Sequence, residues 1–144
     1  MAYTHTLRCT AALIAWTALS GCVPQDTSAL PIPANVSTVA LFDCAGTAVH
    51  DLHRGDARWN ARVTRHDPAG GVFETGAFGE ANVMGYRVRL VRHDAAPKAV
   101  LSVRAAGPYF TDLGAERALS RFRSTLVACI ARAGRSPRPA SGRP

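Results

Sequence analysis

The chain of 144 residues has very little lysine: Lys98 is the single one, and arginine supplies every other basic side chain. It also has no apolar run of spanning length outside the first 20 residues, so no segment there reads as a transmembrane helix. No serine stands in a nucleophile-elbow context, and neither Cys44 nor Cys129 has a candidate base near it in sequence, so the usual nucleophilic enzymes have no foothold. Gly76-Ala77-Phe78-Gly79 lacks the lysine and the following helix of a phosphate loop. Against these absences stand an apolar content of 47% and a formal net charge of +7, enough for one packed core and a strongly basic surface.

The amino terminus has a basic start, an apolar centre at Ala11-Ala12-Leu13-Ile14-Ala15-Trp16, and small residues before a cysteine. The ending Leu19-Ser20-Gly21-Cys22 resembles the lipobox of bacterial lipoproteins. The resemblance implies that residues 1–21 are a cleaved signal peptide. It also implies that Cys22 becomes the acylated first residue, carrying palmitate-type chains. Val23 rather than Asp follows the cysteine, which in that family points to the outer membrane, periplasmic side. An exported basic chain does not meet nucleic acid. Its expected partners are the membrane, through the lipid anchor, and an envelope protein or anionic surface.

The four cysteines then sort themselves. On the lipobox resemblance Cys9 leaves with the signal and Cys22 is the lipidation candidate. Cys44 and Cys129 remain, in a compartment that permits disulfides; a bond between them is expected, the alternatives being two buried thiols or a metal pair. Residues 22–36 carry three prolines and read as a mobile linker holding the domain off the membrane. Residues 37–134 read as one domain, and residues 135–144, basic and rich in Pro, Ser and Gly, as a disordered tail.

Within the domain, Val39, Phe42, Ala45, Val49 and Leu52 recur at helical spacing, which predicts a helix over about 38–54 capped by Ser37 or Thr38. Four strands follow. Trp59, Ala61 and Val63 alternate with polar residues; Val72 to Phe78 is the second; Met84, Tyr86, Val88 and Leu90 form the third, and Ala99, Leu101, Val103 and Ala105 the fourth. Short turns such as Asp67-Pro68-Ala69-Gly70-Gly71 favour antiparallel pairing. Thr111 or Asp112 is expected to cap a second helix whose stripe is Leu119, Phe122, Leu126, Cys129 and Ile130, stopping at Gly134. The fold class is therefore α+β: a four-stranded antiparallel meander with an N-terminal and a C-terminal helix on one face.

Candidate chemistry is sparse. His50 and His53 stand three apart on the first helix, but two ligands make no metal site. Arg65-His66-Asp67 and Arg92-His93-Asp94 sit at strand ends before turns, and Glu74 with Asp67 reads as a solvated pair of acids. Neither cofactor nor metal is expected, and the chain reads as a non-enzyme. Arg62, Arg87, Arg89 and Arg104 are expected to project from the sheet face away from the helices, where guanidinium groups bind phosphates and carboxylates.

The stretch Val63-Thr64-Arg65-His66-Asp67-Pro68-Ala69-Gly70-Gly71-Val72-Phe73-Glu74-Thr75-Gly76, followed by Tyr86-Arg87-Val88-Arg89-Leu90, resembles the hairpin and strand of BamC-like outer-membrane lipoproteins. Those proteins have a helix-grip arrangement and accompany β-barrel assembly; they have two such domains where this chain has room for one. The resemblance implies an accessory binding module without active site or cofactor. The main expectation is a membrane-anchored periplasmic lipoprotein acting as a binding or scaffolding module in the cell envelope. A small inhibitor or immunity-like protein using the Gly79–Asn82 loop is the alternative, and a cell-wall hydrolase ranks last.

Overall fold

A computed structural model describes residues 23–134; the expected signal peptide, the expected lipidation site Cys22 and the expected disordered tail 135–144 lie outside the described residues. Two helices cover one face of a five-stranded antiparallel sheet. In chain order the elements are β1 (Gln25–Pro31), α1 (Thr38–Gly55), β2 (Val63–Asp67), β3 (Val72–Thr75), β4 (Gly85–Val91), β5 (Lys98–Ala106) and α2 (Ala115–Ala133). The strand order is β1-β5-β4-β3-β2, so the expected meander is present and β1 is added at its edge.

The stretch expected to be a mobile linker is thus a strand for about half of its length. β1 runs antiparallel to β5, from Gln25 opposite Arg104 to Pro31 opposite Lys98. Leu30, Ile32 and Val36 are buried in the core. Proline is no obstacle here, because Pro31 ends an edge strand and Pro24 precedes it. The inward positions are Asp26, Ser28 and Leu30, only one of them apolar, so the alternation leaves little trace in the sequence.

α1 begins where Ser37 Oγ accepts from the Ala40 amide at 3.1 Å, a side-chain N-cap. Its buried face is Leu41, Phe42, Cys44, Ala45, Ala48, Val49 and Leu52. Val39, expected inside, is half-exposed. α2 buries Leu119, Phe122, Leu126 and Ile130, and Gly134 closes it. Its start is organised by Asp112, whose Oδ1 accepts from the amides of Gly114 and Ala115 at 2.8 and 2.9 Å. The helices lie side by side, and Cys44 is bonded to Cys129 with the Cα atoms 5.6 Å apart.

The strand boundaries shift in three places. β2 begins only at Val63, which is exposed; Trp59 is fully buried and makes an isolated parallel bridge to Tyr86. β3 stops at Thr75, because Gly76 (φ 60°) and Ala77 (φ 51°) enter the left-handed region and turn the chain. Met84 lies before β4 and is exposed, not part of the core face. Beside it Gly85, at φ 91°, is held so close to the Arg58 carbonyl that a Cβ would sit 2.5 Å from the oxygen. Only glycine fits there. That approach ties the segment after α1 to the start of β4, with the Tyr86 amide donating to the Arg58 carbonyl at 2.8 Å.

Candidate functional site

The four arginines expected on the open sheet face do not form a free basic surface. Arg87 is completely buried. Its Nη1 donates to the carbonyls of Ala77, Phe78 and Glu80 at 3.0, 3.4 and 2.6 Å. Burial lowers its pKa, and Arg104 nearby acts the same way. Arg104 donates through Nη1 to the Phe78 carbonyl at 2.7 Å and through Nε to Gln25 at 3.0 Å. Arg89 pairs with Glu74 at 2.6 Å. The guanidinium carbons of Arg89 and Arg104 lie 4.5 and 4.9 Å from the Phe78 ring centroid, a cation–π arrangement. Three of the four therefore clamp the loop after β3 onto the face, with Phe78 as its plug. Only Arg62 is left exposed, at one end.

A different arginine cluster stands at the end of the sheet where β4 begins. α1 ends at Gly55, and Asp56 follows with its amide bonded to the Leu52 carbonyl. Arg58 grips that carboxylate with both arms of its fork, Nε to Oδ1 at 2.9 Å and Nη2 to Oδ2 at 2.8 Å. It also lies 5.2 Å from the Tyr86 ring centroid. From α2, Arg117 and Arg121 stand one turn apart on a common flank. Together with Arg58, Tyr86, Leu113, Gly114 and Ala118 they line a crevice of about 350 Å³. Arg121 reaches Asp56 at 4.0 Å. Among the described residues, Asp56 is the one carboxylate within ion-pair distance of Arg58 and Arg121, and Arg117 makes no ion pair. The crevice is left with an excess of positive charge, and its donors suit a phosphate or carboxylate.

The Arg58 fork holds the Asp56 carboxyl down at about 2, with a smaller contribution from Arg121. The folded pKa lies below the ordinary 3.8, so this interaction stabilises the fold above pH 3.8 and is lost as the pH falls through about 2. Asp56→Asn is therefore expected to lower the urea midpoint at pH 6. At pH 2 the difference from the parent chain should close. A gap that persists unchanged at pH 2 would mean that the side chain acts there by shape alone.

Two of the histidines, His53 and His66, take structural places. His53 Nδ1 lies 2.6 Å from the Trp59 carbonyl, linking the end of α1 to the segment that follows; His50 is exposed. His66 pairs with Asp43 at 3.3 Å and stands edge-on to Phe42 and Phe73. The two Arg-His-Asp triplets do different work. Arg65 pairs with Asp67 at 3.1 Å, while Asp67 Oδ1 accepts from the Gly70 amide at 2.7 Å. Arg92 is buried and donates to the carbonyls of Val36, Ala95 and Ala96. Among the described residues no three His, Cys, Asp or Glu side chains gather where a metal would sit.

Sequence reasoning passed over the Arg58–Arg117–Arg121 crevice, because Arg117 and Arg121 lie off the apolar stripe of α2 and Arg58 lies between α1 and β2, outside both. The one available signal was the spacing of four between Arg117 and Arg121, which puts two like charges together at a cost and asks for a counter-ion. In comparisons with family models, curated proteins and solved structures, nothing matches this chain.

Proposed function

We propose that this chain is a lipid-anchored protein of the outer membrane, facing the periplasm, and that its domain is a binding or scaffolding module. What supports the reading at the site is one observation: three arginines line a crevice of about 350 Å³ in which the one paired carboxylate, Asp56, reaches only Arg58 and Arg121. Its ligand is an anionic group, phosphate or carboxylate, presented by an envelope component. The Leu19-Ser20-Gly21-Cys22 lipobox supports the anchor, and the BamC-like stretch points to the same class of accessory module.

The test uses intact cells. A photo-crosslinker at Arg117 is expected to capture a defined envelope partner, and one at Arg123, exposed elsewhere on α2, is not. Charge-assisted hydrogen bonds contribute about 1.5–3 kcal/mol each, so Arg121→Ala should weaken capture by about tenfold to a hundredfold. The same pattern at both positions, or no response to Arg121→Ala, would sink the crevice as the contact.

The inhibitor reading has one observation in its favour. The Gly79–Asn82 tip is exposed while its base is fixed by Arg87 and Arg104. It requires a stoichiometric complex with one enzyme that Glu80→Lys or Asn82→Lys would break.

A further inference from the structure

The end of the sheet beside the crevice carries an unusual set of exposed apolar side chains. Tyr109 is 98% exposed, Met84 63% and Phe110 50%, and all three line one hollow. Tyr109 and Phe110 both lie in the left-handed region, at φ 55° and 60°. Bulky residues rarely adopt it, and two in succession cost energy that the surroundings must hold in place. The constraint is visible: the Gly107 amide donates to the Thr111 carbonyl at 2.8 Å, and Ala106 bridges Asp112. The turn is thus fixed with its aromatic side chains turned outward, which nothing in the packing of the domain requires.

The position of the anchor says what covers them. The Pro24 carbonyl accepts from the Ala105 amide at 2.9 Å, so the chain joins the sheet at the β5 terminus that leads directly into this turn. Gly85, next to Met84, pairs with Ala106 at the same end. Cys22 is two peptide steps from Pro24, about 7 Å at full stretch. A tether that short brings this end, and no other, against the bilayer that holds the lipid. On the other side of Met84, Arg58 and Arg62 line the adjoining hollow. An apolar tip flanked by arginines is the chemistry of a membrane interface: aromatic and Met side chains at the headgroup–acyl boundary and guanidiniums at anionic headgroups.

We infer that this end docks on the anchoring bilayer, with Met84, Tyr109 and Phe110 entering the interface and Arg58 and Arg62 at the headgroups. The inference rests on the lipid-anchor reading. It replaces a domain held away from the membrane by a linker with one that sits on it in a fixed orientation.

The experiment uses the mature acylated protein, reconstituted in phosphatidylglycerol vesicles containing lipid brominated near the ester end of its chains. Tyr109→Trp is expected to shift its added emission to the blue and to lose most of it to the bromines; emission of the parent chain's buried Trp59 is subtracted. Val39→Trp, at the start of α1 on the far end, should keep its emission. Should Tyr109→Trp fold poorly, Phe110→Trp reads the same face. With the acyl group confirmed by mass at Cys22, equal emission loss at both positions, or none at either, overturns the docked orientation and leaves the anchor standing. An unmodified Cys22 overturns both.

Discussion

Replacing Cys44 and Cys129 with alanine is expected to lower the midpoint of thermal unfolding by about 20 °C, the largest change that any pair of side chains in this domain should produce. The bond joins residues 85 apart. Closing a loop of that length removes about 4.5 kcal/mol of chain entropy from the unfolded state. The helices it joins also hold the core from the same side of the sheet, so the native state need not move to accommodate it. The check is calorimetry of the parent chain against the double variant, with the parent repeated in reductant. A fall of only about 5 °C, worth about 1 kcal/mol for a domain of this size, would show that α1 and α2 already meet in the unfolded chain.

Arg87→Met is the second. Three effects compete. Taking a charged group out of a buried place relieves its desolvation, and replacing buried ions by apolar side chains of like size is often neutral or favourable. Methionine fills most of the volume, so the cavity is small. Against these, the Glu80 carbonyl loses its charged donor, at about 1–3 kcal/mol, while the Phe78 carbonyl keeps Arg104 and the Ala77 carbonyl keeps the Glu80 amide. With no carboxylate to be orphaned in turn, the Glu80 carbonyl decides the sign. The variant should be about 1 kcal/mol less stable. The loss should be local first: amide exchange at residues 77–82 rises before that of β4 or β5, because Ala77 is freed from its left-handed conformation. An Arg87→Met chain as stable as the parent would mean that the loop finds water or new donors at no cost.

Where the fold was legible in the sequence, large apolar side chains fell at regular steps. Leu119, Phe122, Leu126 and Ile130 mark α2 without ambiguity, and Tyr86, Val88 and Leu90 with Leu101 and Val103 mark the two central strands. The pairing of Cys44 with Cys129 followed from counting. β1 escaped because two of its three inward positions, Asp26 and Ser28, are polar and because proline flanks it. The arginine face misled for a different reason. Alternation places a side chain on a face but is blind to a loop that folds back over it, and Phe78, read as the last residue of a strand, is the plug of that loop. A single phenylalanine between Gly76 and Gly79 was the one available sign that something apolar after β3 needed cover. The crevice joins residues from the segment after α1 and from α2, far apart in the chain, and their meeting depends on packing that no local pattern encodes.

Mechanically, the covalent ring closed by Cys44 and Cys129 contains β2 to β5 and leaves β1 outside. If Cys22 carries the proposed lipid, a load arriving through it enters the domain at Pro24 and reaches β1 before any other element. It is borne there by the ladder to β5 and by the seating of Leu30 and Ile32. β1 is the fuse of the assembly: under tension it peels away first, while the ring behind it stays closed and ready to take the strand back.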